Sequence, residues 1–255
     1  MQNNSAGLSG KSILVTGASS GIGAATALAL GRAGARVALV ARRLEALEDL
    51  AAQIRAAGGE ALAIRADVTV ESEVGDAVAA TVARFGRLDG AFNNAGTLGK
   101  PGPLLDQMTA DFDAVMRANV HGVLWAMQHE IRAMLASGGG AIVNTASILA
   151  EVAMPGLAPY NTSKHAVLGL TRSAALEYYP QGIRINAVLP GPIETPMAEI
   201  GFGSFEAMRQ TVSAWPAGRT GQPEEIAGPV LFLLSSAASY ISGQGLVIDG
   251  GYTVQ

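Results

Sequence analysis

Tyr160 and Lys164 stand four residues apart, and Ser147 lies thirteen residues before the tyrosine. With five tyrosines and three lysines in 255 residues, chance would place only about 0.06 Tyr-x-x-x-Lys pairs in the chain. The segment from about Ala158 onward has a helical pattern, so positions i and i+4 share a face and the ammonium can sit near the phenol. A free phenol titrates near ~10, too high to exchange protons readily at neutral pH, and an adjacent cation lowers that value by stabilising the phenolate. The pair therefore predicts a general acid/base. Ser147 follows the apolar run Ala141 to Thr145, from where its hydroxyl could bond the same reacting oxygen. Taken alone it would be read as a loop hydroxyl satisfying backbone.

A second chemistry is written near the start of the chain. The run Thr16-Gly17-Ala18-Ser19-Ser20-Gly21-Ile22-Gly23 separates an apolar strand pattern from the helical run Ala24 to Leu30. A glycine-rich turn there lets backbone N–H groups and a helix N-terminus face a pyrophosphate with no Cβ in the way. With 32 glycines in the chain, the strand–turn–helix context carries more weight than the spacing. After the next strand, where an acidic residue would hold a ribose 2′-hydroxyl, the sequence is Val40-Ala41-Arg42-Arg43. Two arginines opening a helix oppose its dipole, and a bound 2′-phosphate would relieve that conflict. NADP(H) is therefore expected over NAD(H).

The elements that must position these groups alternate between short β-rich runs and amphipathic helical stretches. Strands are expected at Ser12 to Thr16, Arg36 to Val40, Ala61 to Ala66, Leu88 to Asn93, Ala141 to Thr145, Ile183 to Val188 and Gly245 to Ile248. Leu44, Leu47, Leu50, Ala51 and Ile54 recur at helical spacing. A long helix is expected from about Thr109 to Leu135, with Thr109 as its cap and Asp111 in its first turn. Asn119 and Gly122 are odd inside it. This pattern predicts an α/β fold, a single Rossmann-type doubly wound domain with a seven-stranded parallel sheet and helices on both faces. Residues 1–255 form that one domain, 1–10 are expected to be flexible and about 191–216 to form a lid on the substrate side. Pro223-Glu224-Glu225-Ile226 opens the last helix well, but Gly228-Pro229 inside it predicts a kink or a late start.

The wide spacing G-x-x-x-G-x-G at Gly17, Gly21 and Gly23, the run Asn93-Asn94-Ala95-Gly96 and the Tyr160/Lys164 pair together resemble the short-chain dehydrogenase/reductase family, over nearly the whole chain from about Lys11. The resemblance implies an NADP-dependent carbonyl reductase or alcohol dehydrogenase, a homotetramer, acting on a ketone or secondary alcohol. Ala41 stands where NAD-preferring members carry Asp, and Arg42 where NADP-preferring members carry a basic residue. By resemblance the nucleotide is held by Gly17, Ser19, Ser20, Gly21, Ile22, Gly23, Arg42, Arg43, Asp67, Val68, Asn94, Ala95, Gly96, Tyr160, Lys164, Pro190, Gly191, Ile193 and Thr195. Asp67-Val68 would meet the adenine, and the segment Pro190 to Thr195 the carboxamide. The implied catalytic set is Asn119, Ser147, Tyr160 and Lys164: Ser147 polarises the carbonyl, Tyr160 donates the proton, Lys164 lowers the tyrosine pKa, and a backbone distortion at Asn119 supports proton resupply.

Substrate contacts are expected from Ser147, Leu149, Glu151, Met154, Met197, Phe202 and Phe205, with Gly201 and Gly203 letting the apolar lid move. Glu151 and Glu194 are the only carboxylates of those two loops and no basic residue lies between Glu194 and Met208, so bulky neutral substrates fit better than anionic ones. Two alternatives remain: an NAD-linked dehydrogenase of a cyclic diol or sterol-like alcohol, and a nucleotide-binding redox sensor without turnover.

Composition narrows the field further. A chain with 49% hydrophobic residues and no cysteine has no thiol nucleophile, disulfide framework or thiolate-held metal. His121, His129 and His165 read as helix-surface or packing residues, and no metal is expected. A net charge of −4 with basic residues scattered leaves no footprint for nucleic acid or an anionic membrane. Residues 1 to 11 lack an apolar signal stretch and no run is long enough to span a bilayer, so a soluble cytoplasmic protein is expected.

Overall fold

A computed structural model of the chain describes residues 7–255. Its centre is a seven-stranded sheet of order β3-β2-β1-β4-β5-β6-β7: β1 Ser12–Thr16, β2 Arg36–Ala41, β3 Glu60–Arg65, β4 Gly90–Asn93, β5 Gly140–Thr145, β6 Ile183–Pro190 and β7 Gly245–Ile248. Every neighbouring pair is parallel, so the connections must cross over the faces, and the central strands are covered on both sides. That is why β1, SILVT, is buried at every position, Ser12 and Thr16 included. β4 starts two residues later than its pattern suggests and β6 runs on to Pro190.

Alternation within the strands sorts the core into two layers. Ile13, Val15, Val37, Leu39 and Val143 face α1 Gly21–Arg32, α2 Leu44–Ala56 and α9 Pro223–Leu234. Leu14, Val40, Ile142, Ile185 and Leu189 face α3 Glu71–Phe85, α5 Gly122–Ala136 and α6 Ala158–Tyr178. On α2, Leu47, Leu50, Ala51 and Ile54 are buried, whereas Leu44 in its first turn is 44% exposed.

Three local expectations are corrected. The long helix is α4 Thr109–Met116, a π turn at Arg117–His121, and α5; Met108, not Thr109, occupies the cap, with no side-chain bond. α9 begins at Pro223 and runs through Pro229 to Leu234. The bond lost at an interior proline costs about 3 kcal/mol; here buried Ile226, Val230, Leu233 and Leu234 anchor the helix, and Glu225 Oε2 accepts from Gln222 N at 2.8 Å at its start. Of the leader expected to be flexible, 1–6 lies outside the described residues, while Gly7–Gly10 forms a turn with Leu8 buried and Gly10 N donating to Gly34 O at 2.8 Å. The expected lid contains α7 Pro196–Phe202 and α8 Phe205–Val212, joined through Gly203 at φ 84°. Among the described residues no helix is long and apolar enough to cross a membrane.

Candidate active site

The order of the sheet reverses direction between β1 and β4, and parallel sheets open a crevice at such a point, outside the carboxyl ends of the strands. A cleft of about 920 Å³ lies there. Its first end is built on the β1–α1 turn. Gly17 and Gly21 hold φ of +67° and +55°, and a Cβ on Gly17 would come within 2.9 Å of Ala95. The first N–H groups of α1 have no partner within their own helix, and Ser20 at the cap makes no side-chain bond to them. Gly23 does not reach the cleft; a Cβ there would strike the Gly17 carbonyl, so this glycine sets how closely the helix approaches the turn.

Arg42 and Arg43 line the same end beside Ala41, Asp67 and Val68. Arg43 Nη2 donates to Ser19 O at 3.0 Å and to Ser19 Oγ at 3.2 Å. Burial works against ionisation of Asp67, but two bonds from Thr69 and the Arg42 charge hold its carboxyl below the usual range. No acidic side chain takes the place of Ala41 at the strand end.

Thr16 is a site residue the motif reading did not single out. Its Oγ1 accepts from Asn94 N at 3.0 Å and Ala95 N at 3.1 Å, tying the Asn-Asn-Ala-Gly segment to β1. Asn119 also does unexpected work. It lies in the π turn, its side chain turned away from the cleft: Nδ2 donates to Thr97 O at 2.8 Å and Ser163 Oγ at 3.0 Å, and Oδ1 accepts from Thr97 N at 2.8 Å. Gly122 follows because a Cβ there would lie 2.9 Å from Val68 O.

At the other end Ser147, Tyr160 and Lys164 line the cleft together. Lys164 Nζ sits 5.4 Å from the Tyr160 ring centroid and donates to Thr145 O at 2.8 Å. Burial pushes the Tyr160 phenol up to about 12, with Ser147 opposing the rise, and burial pulls Lys164 down to about 8. The expected lowering of the phenol by Lys164 does not figure in this balance, in which desolvation outweighs the Ser147 bond, and the ammonium is bonded to a backbone carbonyl.

Pro190, Gly191, Ile193 and Thr195 line one wall; Leu149, Met154, Met197 and Phe202 are joined by Leu98, Leu157 and Trp215. Glu151 and Phe205 are absent from the lining and are corrected: Glu151 is exposed beyond the turn at Ile148–Ala150, and Phe205 opens α8 on the far side of Gly203. Glu194 points away as well, since Arg209 Nε and Nη2 donate to it at 2.8 and 3.0 Å and Thr220 Oγ1 at 2.7 Å. The Arg209 bonds come first among the interactions that hold it down to about 2. Among the described residues Lys164 is therefore the one charged side chain lining this end. Among the described residues no cluster of side chains could hold a metal ion. His129 packs against Gly75, and His121 stacks on Trp125 at 5.5 Å.

Residues 17–253 match the model of a family described as enoyl-(acyl carrier protein) reductase. The chain belongs to the short-chain dehydrogenase/reductase family. It is 44% identical over 243 residues to the cyclohexanol dehydrogenase of Acinetobacter sp. (strain SE19), covering 95% of each chain. It is 46% identical over 245 residues to an A-factor type gamma-butyrolactone 1'-reductase (1S-forming) of Streptomyces virginiae, covering 94% of this chain and 95% of that one. The crystal structure of levodione reductase superposes with a TM-score of 0.94 at 39% identity, covering 96% of this chain and 98% of that one. The protein is an oxidoreductase of a family that uses NAD(P), and the glycine cradle with its uncapped helix N-terminus fits the dinucleotide.

Proposed function

We propose that the protein reduces bulky neutral ketones, cyclic ones among them, to secondary alcohols with NADPH, reversibly. The observation that carries this is the convergence of Ser147, Tyr160 and Lys164 on the apolar end of one cleft whose far end presents Arg42 and Arg43. Those arginines, with no acid at Ala41, suit a 2′-phosphate. Bound there, the nicotinamide supplies hydride to the carbonyl carbon. Ser147 orients and polarises the carbonyl oxygen, and Tyr160, which burial keeps protonated, donates its proton to that oxygen. Lys164 stabilises the phenolate left behind, and the π turn at Asn119 supports return of the proton. In the oxidative direction Tyr160 is the base.

The uncharged walls and the relative named for cyclohexanol support neutral, ring-sized substrates, held under a lid formed by about 191–216. That same relative favours a second reading, NAD-linked oxidation of a cyclic alcohol. Exposed Leu176, Tyr240 and Val254, at 82%, 93% and 87%, support assembly as a homotetramer, measurable as a light-scattering mass of four times 26.0 kDa. The cysteine-free chain suits a reducing cytoplasm.

The test is nicotinamide absorbance loss with NADPH and NADH in parallel against neutral aryl, aliphatic and cyclic ketones. Rapid loss with NADPH alone is expected. Loss with NADH alone moves the protein to the second reading, and binding of both nucleotides without loss in either direction overturns the reductase assignment.

A further inference from the structure

A buried carboxyl outside the catalytic set joins the elements that carry it. Glu130 on α5 is 0% exposed and its Oε2 accepts from Asn93 Nδ2 at 2.9 Å. Asn93 Nδ2 also donates to Asn144 Oδ1 at 3.1 Å, and Asn144 Nδ2 donates to Thr171 Oγ1 at 2.9 Å. All four side chains are buried. Each partner adjoins a working part of the cleft: Asn93 precedes Asn94, Ala95 and Gly96; Asn144 precedes Thr145, whose carbonyl takes the Lys164 bond; and Thr171 is two turns along α6 from Lys164. The chain of bonds thus crosses from α5 through β4 and β5 to α6.

No ion pair reaches Glu130 among the described residues. Its Oε1 and Asn93 Oδ1 are buried without partners, two acceptors facing no donor. A proton on the carboxyl turns one acceptor into a donor and removes a buried charge that nothing compensates. Burial indeed pushes Glu130 up to about 7 against the Asn93 bond, and no charged group enters the balance: neither His129 beside it on α5 nor Tyr160 and Lys164 on α6 contributes, and among the described residues the strands offer it only the amide of Asn93.

We propose that Glu130 is a positioning residue that works as a neutral hydrogen-bonding anchor, fixing through Asn93 and Asn144 the strand ends and helix that hold the nucleotide and the Tyr160/Lys164 pair. The inference rests on the reductase reading of the cleft. Its test compares the full-length wild type with Glu130→Gln, Glu130→Leu and Glu130→Asp, each checked for native circular dichroism. NADPH affinity is read from nucleotide fluorescence, and kcat and KM from reduction of a cyclic ketone. Glu130→Leu deprives Asn93 of one of its two acceptors and Glu130→Asp shortens the reach, so both should lose about tenfold or more in kcat and bind NADPH more weakly, while KM for the ketone moves less than about threefold. Glu130→Gln, neutral and of the same shape, should stay within about threefold of wild type in all three. A folded Leu or Asp variant with wild-type kcat and NADPH affinity overturns the proposal. So does a folded Gln variant that loses about tenfold or more in kcat or NADPH affinity, and that outcome decides even where Leu and Asp fail to fold. Absence of turnover in wild type would count against the reductase reading alone, because NADPH affinity still reports the positioning.

Discussion

Replacing Glu130 by Gln should flatten a pH dependence of stability that the wild type carries in its core. The carboxyl has an ordinary value of 4.5 in the unfolded chain and about 7 in the folded one, raised by burial. Between those values the folded state holds a proton the unfolded state has released, so stability is fully present below about pH 4.5 and is lost as pH rises through about 7. A rise of that size corresponds to a total of about 3 kcal/mol, of which about 2.5 kcal/mol falls between pH 5 and pH 8. For a chain of this length about 1 kcal/mol moves Tm by roughly 2–4 °C, so the wild type should lose roughly 5–10 °C relative to Glu130→Gln across that range. Thermal or urea denaturation of both proteins at pH 5, 6, 7 and 8 reads the difference, and every other titrating group cancels because the two chains share it. A gap that stays constant with pH would show that Glu130 does not titrate there. A gap that opens in the opposite sense would show that the carboxylate is the stabilised form, refuting the picture of an unpaired buried acid.

Three further outcomes follow from the site. Tyr160→Phe should lower ketone turnover by about 10²–10⁴-fold while NADPH binding, followed by fluorescence, stays close to wild type; full turnover would remove the phenol from the mechanism. Arg42→Ala should weaken NADPH binding by about 10–100-fold, the worth of a charge-assisted bond to phosphate, and leave NADH unchanged in the same titration. Gly122→Ala gains about 1 kcal/mol of helix propensity but puts a methyl 2.9 Å from Val68 O, an overpacking worth about 1–3 kcal/mol. It should lower the urea midpoint and weaken nucleotide binding, since Val68 lines the cleft.

The sheet was legible because parallel strands covered on both faces leave unbroken apolar runs in the sequence, as in Ile13–Val15 of β1 and Val37–Ala41 of β2, and the glycine motif because a turn between strand and helix has few physical uses. What misled was chemistry local to one turn. Thr109 is a good capping type, yet Met108 takes the cap and the helix begins at Thr109. Pro229 is a breaker by propensity, yet five buried apolar side chains hold its helix together. Glu151 and Phe205 were placed in the pocket by their neighbours in sequence, and one turn of rotation at Ile148–Ala150 and the bend at Gly203 put them outside it.

The buried polar chain was invisible for a different reason. Its members lie on four separate elements, and 37 residues separate Glu130 from Asn93. No local pattern announces such a pairing; only the stacking of α5 and α6 over β4 and β5 brings it about. The same stacking explains why a core would keep so costly a group. An apolar side chain at Glu130 would leave the Asn93 amide with only the Asn144 oxygen to donate to, and Asn93 and Asn144 sit one residue before the segments Asn94–Gly96 and Thr145 that line the cleft. On the proposed reading, one neutral acid would then hold in a single register the two strand ends and the helix that present Asn94, Thr145 and Lys164 to the cleft.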